Sequence, residues 1–143
     1  MNRVIQNAVK ITEDGVVTYL RSSHRHDYVV HTFKNGGRYA LDGGLDYCKV
    51  GTSNIPDNAT IEPFSVVDTD NFTTIADRLL WGTRGPSGND KIRIVPFKEL
   101  TLDHLQAILD YNDTLTTKLS DIQVDVINHW IKERLTSKNY GTI

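Results

Sequence analysis

The first fifty residues place apolar and polar side chains at the two-residue spacing of half-buried strands, interrupted by turn signals. Val4 to Ile11 has roughly that spacing. Glu13-Asp14-Gly15 is a tight-turn signal, and Val16-Val17-Thr18-Tyr19-Leu20 is rich in β-formers. A dense polar cluster follows, Ser22-Ser23-His24-Arg25-His26-Asp27, and then the strand-like Tyr28-Val29-Val30-His31-Thr32-Phe33. Asn35-Gly36-Gly37 is a second hairpin signal, with Arg38-Tyr39-Ala40-Leu41 as the return strand. After the turn Asp42-Gly43-Gly44, Leu45 to Val50 reads as one more strand. Together these segments predict a small antiparallel meander.

The pattern then changes. Residues 51–62 contain Gly51, Pro56 and several small polar residues and read as a connector. Phe64 to Val67 predicts a short strand. Asp70 or Asn71 is placed to cap a short helix from Phe72 to about Leu79. A Gly-rich loop, Leu80 to Lys91, precedes the alternating Lys91-Ile92-Arg93-Ile94-Val95, and Pro96 ends that strand pattern. From Thr101 the period becomes helical. Thr101 is a candidate N-cap, Asp103 falls in the first turn, and Leu102, Leu105, Ile108 and Leu109 share a face. Asn112-Asp113-Thr114 breaks this helix, and Ser120 or Asp121 starts another. Its apolar positions, Val124, Ile127, Ile131 and Leu135 flanked by Val126 and Trp130, make a broad face suited to the sheet or to a second subunit. The expected fold class is α+β: a small antiparallel β-sheet, made of the N-terminal meander and later strands, followed by C-terminal helices. We read residues 1–143 as a single domain, with the meander over 1–50, a loop, short helix and strands over 51–100, and helices over 101–143.

Composition narrows the function classes. A chain of 143 residues can bury a core. Its net charge of −2 argues against general binding of genomic nucleic acid, which usually calls for a basic excess. Cys48 stands alone, so an intrachain disulfide and a cysteine-based zinc site are excluded, and a reducing cytoplasm is the expected setting. There is no apolar run of membrane-spanning length and no apolar signal core at the start, so no membrane partner is expected.

Two stretches carry candidate chemistry. Leu80-Trp81-Gly82-Thr83-Arg84-Gly85-Pro86-Ser87-Gly88-Asn89-Asp90-Lys91 combines an aromatic, a hydroxyl, an amide and two cations on a backbone loosened by glycine. Trp81 can stack on a flat ring, Arg84 and Lys91 can neutralise phosphate, and Asn89 can read a polar edge. The bland alternative is a surface turn between strands. The stretch lacks the Gly-Lys-Ser/Thr ending of a P-loop and the strand-to-helix setting of a dinucleotide fingerprint. In the second stretch, His24 and His26 share one strand face at i and i+2. They invite a metal reading, with Asp27 or His31 as third ligand, or an acid–base reading with Asp27. The alternatives are a structural role for Asp27, tying down neighbouring backbone or Arg25, and an anion-binding role for Arg25, which we prefer. No Ser-His-Asp set, cysteine nucleophile or carboxylate pair is evident. His104, just inside a helix start, reads as a helix-surface or capping residue.

Three segments together resemble small bacteriophage proteins: Ser23-His24-Arg25-His26-Asp27-Tyr28-Val29; Leu41-Asp42-Gly43-Gly44-Leu45-Asp46-Tyr47; and Trp81-Gly82-Thr83-Arg84-Gly85 through Gly88-Asn89 and Val95-Pro96-Phe97-Lys98-Glu99-Leu100 to Asp103-His104-Leu105-Gln106-Ala107-Ile108-Leu109. The resemblance covers most of residues 4–111, and the helical tail matches less clearly. The family it points to is the first-described type of phage Thoeris anti-defence protein. That family is similar in joining a small β-sheet to helices. The resemblance implies a non-enzymatic sponge that sequesters, without cleaving it, a cyclic ADP-ribose isomer made by a bacterial immune TIR enzyme. It further implies sites shared between two protomers of a homodimer, and assembly into a hexamer that also holds cyclic oligonucleotides. The place of action is the cytoplasm of the infected bacterial host. Many of the resembled phage proteins carry two cysteine pairs in the meander. The corresponding positions here are Ile11 and Asp14, then Lys34 and Gly36, so any zinc of those relatives is absent.

On this reading Arg25 and Asn89 are the strongest ligand-binding residues, Arg84 is next, Trp81, Thr83 and Lys91 complete the loop's contribution, and Gln106 lines the same pocket from the first long helix. No metal, cofactor or catalytic residue is expected. The competing classes are an enzyme that degrades a nucleotide signal, with His24, His26 or His104 as base, and a phage factor whose Gly-rich loop docks on a host protein.

Overall fold

The chain folds as an α+β protein, and the computed structural model describes residues 3–84, 91–114 and 118–141. It divides into two compact units, Met1–Asn71 and Phe72–Ile143.

The first unit is built on β1 (Val4–Glu13), whose residues from Gln6 to Val9 are all buried. β1 pairs antiparallel on one side with β2 (Val16–Ser22), from Asn7 opposite Ser22 to Glu13 opposite Val16. The connecting Asp14-Gly15 turn takes positive φ at both residues, 51° and 78°, the geometry for which Asp-Gly is favoured. On its other side β1 pairs with β6 (Ala59–Pro63), in register at Ile11 opposite Ile61, and with the short β7 (Val66–Val67). A second sheet has the order β3 (Val29–Thr32), β4 (Arg38–Asp42), β5 (Lys49–Ser53). Val9, Ile11, Phe33 and Leu41 form the buried cluster, with Leu20, Val29, Tyr39, Ala59 and Ile61 packed around it. Alternation explains part of this membership: Val9 and Ile11 on β1, Tyr39 and Leu41 on β4, and Ala59 and Ile61 on β6 are each two residues apart.

Asp14 and Lys34 meet across the first unit, Lys34 Nζ donating to Asp14 Oδ2 at 2.8 Å. Asn58 Nδ2 donates to the same carboxylate at 2.9 Å, and the Glu13 carboxylate accepts from the Lys34 backbone N–H. The Lys34 ammonium, through its hydrogen bond and charge, holds the Asp14 carboxyl below the usual range.

Two segments of this unit differ from the sequence reading. Leu45 to Cys48 is a turn, with the Asp46 and Tyr47 N–H groups donating to Gly43 O, and the strand begins only at Lys49. Residues 51–62, read as a connector, contain the end of β5 and most of β6. Every residue of β5 is exposed, so it carries no hydrophobic alternation to betray it.

The second unit begins with α1 (Phe72–Arg78). A hairpin follows, β8 (Leu80–Thr83) and β9 (Arg93–Pro96), then a 3₁₀ turn (Phe97–Glu99), α2 (Leu102–Asn112) and α3 (Asp121–Gly141). The first four residues of the stretch read as a loop are therefore β8. Thr101 caps α2, its hydroxyl accepting from the His104 N–H at 3.2 Å, which makes His104 part of the cap. Ser120 and Gln123 form a reciprocal capping box for α3, each side chain accepting from the other's backbone N–H. Ile75, Leu79, Leu80, Phe97, Leu105, Ile108, Val126 and Ile127 are buried. Trp130 Nε1 donates to Ala76 O at 2.9 Å, and Arg134 donates to Leu100 O at 3.2 Å and to Lys98 O, so α3 is pinned to α1 and to the 3₁₀ segment. The apolar stripe of α3 fades toward its end, where Leu135 is exposed. Among the described residues, no helix is long and apolar enough to cross a membrane.

Candidate functional site

In the first unit, Arg25 sits in the turn after β2, which closes with the Asp27 N–H donating to His24 O at 2.8 Å. Ser22 is the anchor. Its Oγ donates to Asp27 O at 2.6 Å and accepts the Gly44 N–H at 2.9 Å. Asn7 Nδ2 donates to Gly44 O at 3.0 Å, so Ser22 of β2 ties the two turns together and Asn7 of β1 holds the second. Gly44 has φ 53°, and a Cβ there would strike the His24 backbone. Arg25 is thus carried on a rigid mount, with His24, Arg25 and His26 all exposed.

That geometry changes the reading of the histidines. Residues 24–26 form a bend and turn rather than a strand, so His24 and His26 do not share a strand face. Asp27 Oδ2 accepts the Ser23 N–H at 2.7 Å, giving the carboxylate a structural task. His31 is on β3, its ring edge-on to Phe33 at 4.8 Å, with a buried Nε2 that has no hydrogen-bond partner among the described residues. Among the described residues, no group of three His, Cys, Asp or Glu is arranged to hold a metal ion. The field around Arg25 is mixed. Partial desolvation and the Asp42 carboxylate raise the pKa of the Tyr47 phenol, and Arg25 opposes them. Burial and Asp46 likewise push up the Cys48 thiol, which donates to Gly44 O, so this cysteine is a poor nucleophile.

In the second unit the β8–β9 register runs from Leu80 opposite Pro96, through Trp81 opposite Val95 and Gly82 opposite Ile94, to Thr83 opposite Arg93. Directly paired residues lie on the same side of a sheet. Trp81, Thr83, Arg93 and Val95 therefore share one face, and Leu80, Gly82, Ile94 and Pro96 the other. Trp81 is half-buried, with its ring 5.4 Å from that of Phe97 at 40°. It is a packing residue on one side and leaves part of the ring accessible. Thr83 is buried, at 5% exposure. The Arg84, Lys91 and Arg93 side chains are exposed at the end of the hairpin where Thr83 pairs with Arg93, and none has a hydrogen-bond or ion-pair partner among the described residues.

The hairpin thus brings Trp81, Thr83, Arg84 and Lys91 to one end of one element. Gln106 is exposed on α2 beside buried Leu105, with no hydrogen-bond partner among the described residues. Asn89 lies outside the described residues. The chain matches no protein-family model, no curated protein and no solved structure. Sequence reasoning passed over Arg93, treating it as a strand residue. The alternation of Lys91-Ile92-Arg93-Ile94-Val95 was the available signal, because it puts Arg93 and Val95 on one side of the strand. It also passed over the Ser22–Gly44–Asn7 clamp, which joins positions too far apart in sequence to be paired by spacing.

Proposed function

We propose that the protein is a phage anti-defence factor that binds and sequesters a cyclic ADP-ribose isomer made by a bacterial TIR enzyme, without cleaving it. The single observation that carries the reading is the end of the β8–β9 hairpin: Arg84, Lys91 and Arg93, exposed and uncompensated among the described residues, beside Trp81 and Thr83. Such a ligand presents a flat adenine, hydroxyl-rich riboses and a pyrophosphate. An aromatic edge, a hydroxyl and clustered cations complement those three parts. Arg25 is a further proposed anion contact, on the first unit, and Asn89 and Gln106 are proposed polar contacts. The resemblance in residues 4–111 supplies the sequestering role and the homodimer or larger assembly, a hexamer included, that also takes cyclic oligonucleotides. It also supplies the host cytoplasm as the place of action. Sequestration needs tight binding and slow release but no base or nucleophile, and the side chains just described are suited to holding.

Calorimetric titration of the full chain with cyclic ADP-ribose tests this reading. The parent is expected to bind, and Arg25→Ala, Asn89→Ala and the double variant Arg84→Ala/Lys91→Ala are each expected to weaken binding. Each lost charge-assisted contact costs on the order of 1–3 kcal/mol. If all three variants bind as the parent does, the site is elsewhere.

A further inference from the structure

We infer that Arg93 is an anion-binding residue of the hairpin site, holding a phosphate of the nucleotide ligand over the face that carries Trp81 and Thr83. The inference deepens the proposed function and rests on it. Four observations carry it. Arg93 is in register with Thr83 at the last rung of the hairpin, which puts both side chains on one face. Trp81 is its diagonal neighbour on that face, within the reach of a long guanidinium across a strand pair. The directly opposed residue is a threonine, which carries no charge, and Val95, two residues along, is apolar. Arg93 is exposed and has no ion-pair partner among the described residues, so its charge is not spent within the described structure.

These features distinguish Arg93 from its neighbours. Arg84 follows Thr83 beyond the last paired rung, so the ladder does not assign it to this face. Lys91 precedes β9, outside the ladder. Arg93 is the one cation of the three held at a paired position. A guanidinium fixed there presents two parallel N–H donors to phosphate oxygens, while the aromatic edge of Trp81 lies beside it for the base or ribose. Thr83 is buried on the same face.

The competing role for Arg93 is packing, its alkyl stem covering Thr83 and Trp81 while the charge does nothing. Arg93→Met keeps an apolar stem and removes the charge, so it separates the two. The probes are cyclic ADP-ribose and phosphate-free adenosine, titrated into the full-length parent, Arg93→Met, Arg93→Lys and Arg38→Ala, the last an exposed cation on β4 of the other unit. Thermal melts check folding. We expect Arg93→Met to weaken cyclic ADP-ribose at least tenfold and to flatten the salt dependence of its affinity, with adenosine affinity unchanged. Arg93→Lys should fall between parent and Met, and Arg38→Ala should match the parent. If the parent binds cyclic ADP-ribose and Arg93→Met binds it equally well, the assignment of Arg93 is overturned while the nucleotide reading stands. Equal weakening for both probes assigns Arg93 to packing and also overturns it. If the parent binds neither probe, the nucleotide reading itself falls.

Discussion

Gly44 shows how a single residue can fix the geometry around a candidate ligand contact. Its N–H and C=O are both taken by buried side chains, those of Ser22 and Asn7, and its missing Cβ is where the His24 backbone passes. Gly44→Ala therefore meets both a positive φ and a steric collision with backbone, which cannot yield as a flexible side chain would. We expect it to destabilise the fold by about 2 kcal/mol or more in urea unfolding. An unchanged midpoint would show that the two turns are not locked together there. Legibility at this scale follows the range of the interaction. Asp14-Gly15 and Asn35-Gly36 were readable as turns because turn chemistry is local. Asn35 accepts the Gly37 N–H at 2.8 Å, and Gly36 has φ 87°. The Gly44 clamp was unreadable, since Asn7 lies 37 positions away. Asp27 was readable only as a set of alternatives, and its hydrogen bond to the Ser23 N–H selects the structural one.

Among the elements, the helices and most of the strands were legible, and β5, β6 and β8 were not. α2 announced itself by Thr101, Leu105 and Ile108, and α3 by Ser120, Val126 and Ile127, because burial on one side of a helix leaves a period in the sequence. β5 leaves none, and β6 is obscured by Asn58 before it and Pro63 at its end. β8 was hidden for another reason. Leu80-Trp81-Gly82-Thr83 runs into a Gly/Pro-rich stretch, and only the pairing with Arg93–Pro96 makes it a strand. Trp130 ties the second unit together, combining half-buried ring area, an indole N–H bonded to Ala76 O and the Arg134 guanidinium 6.0 Å from its ring centre. Trp130→Ala removes all three, and a loss of about 2–4 kcal/mol is expected in chemical unfolding. Trp130→Phe keeps most of the ring and should recover part of it. A melt unchanged by Trp130→Ala would place the anchoring of α3 elsewhere.

For the molecule as a whole, the α+β class could be read from the shift in hydrophobic period near Thr101, strands before it and helices after. The division at Asn71/Phe72 could not. Composition changes little there, and the join falls between a short strand and a short helix. The candidate site was partly legible: the Gly-rich stretch offered Trp81, Thr83, Arg84 and Lys91 as candidates, and the hairpin brings them to one end, but which of them share a face is a property of register. The end of the β8–β9 hairpin, where Arg84, Lys91 and Arg93 have no ion-pair partner among the described residues, is notable in a chain whose net charge is −2. A local cationic cluster on an otherwise acidic protein suits a compact anionic ligand better than a nucleic-acid backbone.

The central claim is that the protein holds a nucleotide signal without transforming it. The most direct test incubates the purified chain with extract containing the TIR-derived signal, separates protein from small molecules by filtration, then heat-denatures the retained protein and measures the mass of what is released. Our account predicts that the signal is depleted from the filtrate and recovered at its original mass after heating. Recovery of a product of altered mass would establish an enzyme, and signal passing freely through the filter from the start would contradict the claim outright.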